Sequence, residues 1–182
     1  MAAATTSSSY ITNKTAVSSV AAVTYNSIGA DGDGRSHVII GTTELATTRL
    51  DDVGDVTLLF ALKGNDRLAR LILFNDDMDS NGTPTLAINV GLYKDVNAAG
   101  TSATAVSASA YASASTTLQS AVTSGTDVTF SARNIDKAGQ TVAEDGGESV
   151  HSSPRYVGIA VSTAAATAVA GTISWRAEIV CA

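Results

Sequence analysis

The sequence has few of the residues from which cross-links, enzyme pockets and membrane spans are built. It contains one cysteine, Cys181, so no disulfide can form within the chain. Aromatic residues make up only 5% of the chain, which leaves few large side chains to line an enzyme pocket. No apolar run approaches the length of a transmembrane helix, so we expect no membrane span.

Positive charge is also scarce. The chain has 11 Lys and Arg against 17 Asp and Glu, for a net charge of −6, and its cations form no cluster. Proteins that bind phosphate backbones replace counterions with Lys and Arg, so we do not expect nucleic acid as a partner. The N-terminus lacks the basic and apolar regions of a secretory signal, and we expect synthesis in a cytoplasm.

Histidine, the commonest catalytic acid or base, occurs only at His37 and His151. His37 begins an apparent strand, and His151 lies in a Gly- and Ser-rich loop. No nucleophile-elbow motif, phosphate-binding loop or dinucleotide fingerprint occurs. We interpret both histidines as surface residues and Cys181 as a small apolar residue near a strand end. The sequence therefore predicts a non-enzyme with no catalytic residue and no cofactor.

The 182 residues are enough for one domain. Residues 1–19 are rich in Ala, Ser and Thr, a composition that cannot pack a core alone, and we interpret them as an arm that is mobile or ordered by a partner. From residue 20 onward, short alternating runs are separated by Gly, Asp and Asn clusters. This pattern predicts a domain of many short strands over residues 20–182.

The strand from Thr172 to Ile179 has the clearest alternation, with Ile173, Trp175, Ala177 and Ile179 on one face. The runs Leu86–Leu92 and Val128–Ala132, the latter including Phe130, show the same period. Leu68–Phe74 and Tyr156–Val161 are apolar on both faces, which predicts cover by a second sheet or a neighbouring subunit.

Val38–Ile40 and Val56–Leu62 are further strand candidates. The Ala/Ser/Thr tract from Ala98 to Ser115 suits either a strand or a surface loop, and Thr116–Val122 either a short helix or a turn. Strand number and spacing predict an all-β antiparallel β-sandwich, jelly-roll-like, without fixing the order of strands.

The loop Asn75–Gly82 contains the only pattern that resembles a metal site. Asp77, Asp79 and Asn81 match the first half of an EF-hand calcium loop, but Ile88 stands where the bidentate Glu is needed. A turn in which Asp and Asn side chains bond their own backbone explains the segment better, with weak calcium binding as the alternative. We therefore predict no metal site.

Two other loops concentrate carboxylates or glycines. Asp31–Gly34 is typical of a hairpin turn. Ala143–Glu148 places carboxylates in a Gly-rich loop, and such pairs can catalyse glycoside hydrolysis when they line a sugar cleft. Because glycines surround them and aromatic side chains are scarce, we interpret them as solvated loop charges.

Six segments follow one another in a fixed order along the chain: Leu71–Asp76, Asn81-Gly82, Val90-Gly91-Leu92-Tyr93, Glu144-Asp145-Gly146, Tyr156–Val161 and Ala170–Ile173. In this order they resemble the small β-sandwich head decoration (cement) proteins or minor virion structural proteins of tailed bacteriophages. The resemblance covers about Leu68 to Val180. It departs from the family at Ala143, where relatives often have Trp.

The resemblance implies a structural protein that decorates and stabilises the outer capsid surface of a virion, with the major capsid protein as partner. It also implies a homotrimer, since three-fold closure matches the symmetry where three capsid subunits meet. Two alternatives stay open: a phage tail-fibre or receptor-binding module, and a carbohydrate-binding β-sandwich.

Overall fold

The computed structural model describes residues 5–7, 36–97, 102–149 and 153–181. Within these ranges the chain forms nine strands and one short helix. The strands are β1 (Thr5–Ser7), β2 (Ser36–Leu45), β3 (Val56–Leu62), β4 (Arg67–Asn75), β5 (Ala87–Lys94), β6 (Thr104–Ser115), β7 (Val122–Asp127), β8 (Arg155–Thr163) and β9 (Gly171–Val180). The helix is α1 (Val142–Asp145), and 3-10 turns lie at Thr47–Arg49, Thr117–Gln119 and Ile135–Lys137. No helix in these ranges is long and apolar enough to span a membrane.

The strands form two sheets. Sheet I has the order β1-β3-β8-β5-β6, and sheet II has the order β2-β9-β4-β7. Apart from the parallel pairing of β1 with β3, every pair of neighbouring strands is antiparallel.

The strand order identifies a jelly roll. The pairs β2·β9, β3·β8, β4·β7 and β5·β6 are those of one long antiparallel ribbon whose strands alternate between the two sheets. Winding that ribbon adds the pairs β4·β9 and β5·β8 and closes the two four-stranded halves over one core. The predicted all-β jelly-roll-like sandwich is therefore confirmed.

The core lies between the sheets and is centred on Trp175 of β9. Its ring stacks on Phe60 of β3, with centroids 6.5 Å apart. Gly41 of β2 makes room for it, because a Cβ at Gly41 would lie 2.2 Å from the Trp175 ring. Ile173, Ala177 and the Trp175 side chain are buried on the same face, as the alternation predicted.

The cover predicted for the strand Tyr156–Val161 is supplied within this chain. Most of β8 is buried, and the Tyr93 ring of β5 lies over Gly158 on the outward face. Leu86–Leu92 was expected to have one solvated face, but on that face Ala87 and Gly91 are buried and Asn89 is half-buried. At Gly91 the β6 backbone supplies the cover, because a Cβ there would lie 2.2 Å from the Ser107 carbonyl oxygen.

The prediction that Leu68–Phe74 is covered on both faces is wrong for its first half. A bulge between Leu68 and Arg70 shifts the alternation, so that Leu68, Leu71 and Leu73 enter the core. Arg70 is exposed on the outer face, and Ile72 and Phe74 are half-buried there.

The predicted strand Val128–Ala132 is not a strand. β7 ends at Asp127, whose Oδ1 accepts hydrogen bonds from the Thr129 backbone N–H and hydroxyl. The Thr129 hydroxyl oxygen in turn accepts the Leu71 N–H at 2.7 Å. This local turn buries Thr129 and leaves Phe130 half-buried beneath the Arg133 guanidinium.

The remaining alternatives are resolved where the structure describes them. Thr104–Ser115 is a strand rather than a loop, and Thr117–Gln119 forms a 3-10 turn. Thr5–Ser7 of the predicted arm pairs with Val56–Leu58 of β3. The rest of the arm and the Asp31–Gly34 turn lie outside the described residues, so the division at residue 19 stays a prediction.

Candidate interaction surfaces

Asp79, one of the three candidate calcium ligands, is buried and bonded to backbone. Its Oδ2 accepts N–H groups of Thr85, Leu86 and Ala166 at 2.7, 2.9 and 3.0 Å, and its Oδ1 accepts the Thr167 N–H at 2.8 Å. Burial alone would raise the pKa of Asp79, but these four donors outweigh it and lower the pKa to about 2. The carboxylate clamps the β4–β5 loop to the β8–β9 loop.

The other two candidates form turns of their own. Asp77 Oδ1 accepts the Asp79 N–H, and Asn81 Oδ1 accepts the Thr83 N–H. These bonds are the ones that the turn interpretation predicts. Within the described ranges, no three His, Cys, Asp or Glu side chains are placed to hold a metal ion.

The loop Ala143–Glu148 was predicted to carry solvated charges, but the Asp145 side chain is buried. The Thr141 side chain accepts the Glu144 N–H, and the Glu144 side chain accepts the Thr141 N–H. This capping box begins α1 and fixes Asp145, the last residue of the helix, against the core. Asp145 Oδ1 lies 3.0 Å from Arg133 Nε, and both side chains are 1% exposed. Asp145 Oδ2 accepts the Tyr111 hydroxyl at 3.2 Å. Burial raises the pKa of Asp145 to about 6, although Arg133 opposes the shift.

Glu148 is also engaged rather than free in solution. Its carboxylate accepts Lys94 Nζ at 2.9 Å and Arg155 Nε at 2.6 Å, which joins β5 to β8. The Lys94 hydrogen bond is the main reason that the pKa of Glu148 is lowered. These ion pairs fix the long β7–β8 connection, so they explain structure rather than a reactive site.

His37 and Cys181 meet although 144 positions separate them. Cys181 Sγ lies 3.0 Å from His37 Nδ1 at the paired ends of β2 and β9. Burial and the nearby Asp66 carboxylate raise the pKa of the thiol, which disfavours the nucleophilic thiolate. His151 lies outside the described residues.

The described charges are distributed unevenly between the two ends of the jelly roll. The β2–β3, β4–β5, β6–β7 and β8–β9 connections meet at one end, as the backbone bonds from Ala165 to Leu50 and from Met78 to Leu118 show. This end, with the last residues of β2, is the acidic end. Among the described residues of this end, the only cation is Arg49, and the seven carboxylates belong to Glu44, Asp51, Asp52, Asp55, Asp76, Asp77 and Asp79.

The described residues of the acidic end therefore carry a net charge of −6. The other eight described carboxylates are balanced by eight Lys and Arg. Sequence reasoning missed this distribution because the acidic residues come from four segments far apart in the chain, which only the fold brings together.

In the part of the chain that the structure describes, the outer face of sheet II carries exposed and half-buried side chains. It carries the ion pairs Arg70–Asp127 and Arg176–Glu178, both partly exposed. Beside Arg176, at the centre of the neighbouring strand β2, Ile40 is 64% exposed.

No protein-family model matches the sequence, and no curated protein matches it significantly. Solved structures with a similar fold include two capsid chains. One, from the cyanophage Pam1 capsid asymmetric unit, is 23% identical, with a TM-score of 0.59, and the match covers 92% of this chain and 99% of that chain. The other, from the capsid of Ralstonia phage GP4, is 20% identical, with a TM-score of 0.58 and 97% coverage of both chains. At these identities the likeness establishes a shared fold.

Proposed function

We propose that this chain is a non-enzymatic virion protein that decorates and stabilises the outer surface of a bacteriophage capsid. The observation that carries the proposal is the match of the whole jelly roll to two phage capsid chains. Because 99% and 97% of those chains are covered, each is a capsid component of about this size. The family resemblance of the sequence supports the same role.

The described charge distribution favours an outer rather than an inner position. An inner capsid face meets packaged nucleic acid, where a surface of −6 would be repelled by phosphates. The acidic end fits a solvated outer position, and the major capsid protein is the proposed partner.

We retain the homotrimer as part of the proposal, seated where three capsid subunits meet. Its support is the family resemblance alone. The burial of β8 adds no support, because that strand is covered within one chain. Light scattering of the purified chain measures the mass of its free assembly. On decorated heads, the gain in mass divided by the number of three-fold positions gives the number of chains at each position. Three chains support the trimer, and a single chain at each position contradicts it.

Mass spectrometry and antibody labelling of purified virions test the role. The chain should be present in many copies, and antibodies should label intact heads. Absence from virions would refute a virion role, and labelling confined to tails would favour the tail-fibre alternative.

The carbohydrate-binding alternative has no support among the described residues. A sugar-binding platform needs exposed aromatic rings. The described aromatic residues are either buried (Phe60, Tyr93, Tyr111 and Trp175) or half-buried (Phe74, Phe130 and Tyr156).

A further inference from the structure

The described part of the β7–β8 connection forms a protrusion at the end of the molecule opposite the acidic end. The connection packs on the β3–β4 turn, where the Val142 N–H donates to the Asp66 carbonyl oxygen at 2.8 Å. Residues 134–139, here called the tip, are all exposed. Ile135 in the tip is 73% exposed, which makes it the most exposed of the large apolar side chains on the described surface.

Backbone hydrogen bonds hold the tip in a defined turn. The Lys137 N–H donates to the Asn134 carbonyl oxygen at 3.1 Å, and the Ala138 N–H donates to the Ile135 carbonyl oxygen at 3.0 Å. Asp136 and Lys137 carry opposite charges beside Ile135. The tip therefore presents an apolar side chain within charge-balanced polar surroundings, as the core and rim of a protein interface do.

Arg133, the residue before the tip, is buried and holds the tip from beneath. Its Nη1 donates to the Leu68 carbonyl oxygen of β4 at 3.2 Å, and its Nη2 donates to the Lys137 carbonyl oxygen within the tip. The guanidinium carbon lies 5.7 and 5.4 Å from the ring centroids of Tyr111 and Phe130. One side chain thus joins the tip to both sheets.

The ion pair of Arg133 with Asp145 fixes position more than it adds stability. Both side chains are 1% exposed, and removing two charges from water costs about as much as their attraction returns. What the pair does is hold the tip in one place against β4 and α1. A loop that is ordered before it binds loses little conformational entropy on binding, which favours association.

The charge distribution indicates which end of the molecule meets a partner. The cores of protein interfaces are depleted of Asp and Glu, because burying these charges costs desolvation energy. The described acidic end would bring seven carboxylates and one cation, Arg49, into such a contact. The tip would bring one charge of each sign, so its end is the better docking surface.

We propose that the tip docks on the outer face of the major capsid protein, with Ile135 entering an apolar pocket of that partner and Arg133 positioning the tip. This inference deepens the proposed function and rests on it. Docking through the tip leaves the acidic end facing away from the shell, where its carboxylates keep their hydration.

Binding to undecorated heads tests the contact. Ile135→Lys should weaken binding at least tenfold, because it places a charged group in the apolar pocket. Val53→Lys is the matched control, since Val53 is 62% exposed on the acidic end, and this variant should bind like the unmodified chain. Both positions are exposed, so the two melting temperatures should stay unchanged.

A double variant tests the positioning role of Arg133. Arg133→Met with Asp145→Asn removes both buried charges together, so that no unpaired charge is left in the core and the chain should stay folded. Hydrogen exchange of the amides in residues 134–139 should become faster, and head binding should weaken several-fold although Ile135 is unchanged. Exchange and binding equal to those of the unmodified chain would show that Arg133 does not position the tip.

The docking proposal is overturned if Ile135→Lys binds heads as tightly as the unmodified chain, or if Val53→Lys weakens binding as much. If Ile135→Lys disrupts self-association of the free chain and leaves head binding intact, the tip is a contact between copies instead. Failure of the unmodified chain to bind heads would refute the proposed function as well, so the two failures are distinguishable.

Discussion

Asp79 provides the hydrogen bonds that hold two loops of the acidic end together, and its removal should be costly. Asp79→Ala leaves four backbone N–H groups without their acceptor. Each buried donor without a partner costs about 1–3 kcal/mol, partly relieved by water, so we expect a loss of about 3–5 kcal/mol. Denaturant titration measures it. Asp77→Ala is the matched control, because Asp77 is exposed and holds one turn, and it should cost less than about 1 kcal/mol. Equal losses would contradict this role for Asp79.

The same hydrogen bonds lead us to expect that calcium does not contribute to stability. Four backbone N–H groups already donate to the two Asp79 oxygens, so a cation would have to compete with these donors for the buried carboxylate. The melting temperature should be the same in chelator and in millimolar calcium. A marked drop on adding chelator would restore Asp77, Asp79 and Asn81 as ligands.

The contribution of Asp145 to stability should increase as pH falls, which is the opposite of acid denaturation. Burial raises its pKa in the folded chain to about 6, above its ordinary value of 3.8. The folded state therefore binds this proton more tightly, and the resulting stability is lost as pH rises through 6. From about pH 7.5 to about pH 4.5, the unfolding free energy should increase by about 2 kcal/mol relative to Asp145→Asn. Parallel pH profiles of the two proteins would contradict a raised pKa.

At the scale of strands, β9 and the segment after β7 allow a direct comparison of two aromatic residues. Trp175 is fully buried and stacks on Phe60, so Trp175→Ala should cost about 3–5 kcal/mol. Phe130 is half-buried in a turn beneath Arg133, so Phe130→Ala should cost about 1–2 kcal/mol. Denaturant midpoints measure both losses. If the Phe130 variant loses as much as the Trp175 variant, the turn contributes more to the core than its burial indicates.

The predictable part of the fold is the part that periodicity encodes. β9 keeps strict alternation over its whole length, so both its limits and its buried face could be predicted. β4 departs from regular alternation because a bulge after Leu68 changes which side chains face the core. The apolar pattern of a sequence does not show where a strand is bulged. Val128–Ala132 alternates as a strand does, but Asp127 and Thr129 form a turn that overrides it.

The candidate surfaces were less predictable than the fold because each joins distant parts of the chain. Arg133 and Asp145 carry no sequence signal of being a buried pair, and Glu144-Asp145-Gly146 looks like a solvated loop. Strand order decides which loops meet at the acidic end, and the sequence does not reveal strand order. Once the jelly roll is known, the acidic end follows from residue positions alone.

At the scale of the whole molecule, the jelly roll and the predicted arm should contribute separately to stability and to attachment. Deleting residues 2–15 removes β1, which adds three residues of parallel pairing at one edge of sheet I. The buried core residues that the structure describes lie between Ile39 and Ile179, and they are expected to hold the fold without this segment, so the melting curve should change little.

Binding to undecorated heads should weaken markedly in the same truncated chain, because an arm that orders on assembly contributes contacts only there. A pull-down of purified heads with the full and truncated chains measures the difference. Asp77→Ala serves as the control, since it alters the acidic end and leaves the arm intact. If the truncated chain binds heads as tightly as the full chain, attachment belongs to the jelly roll itself.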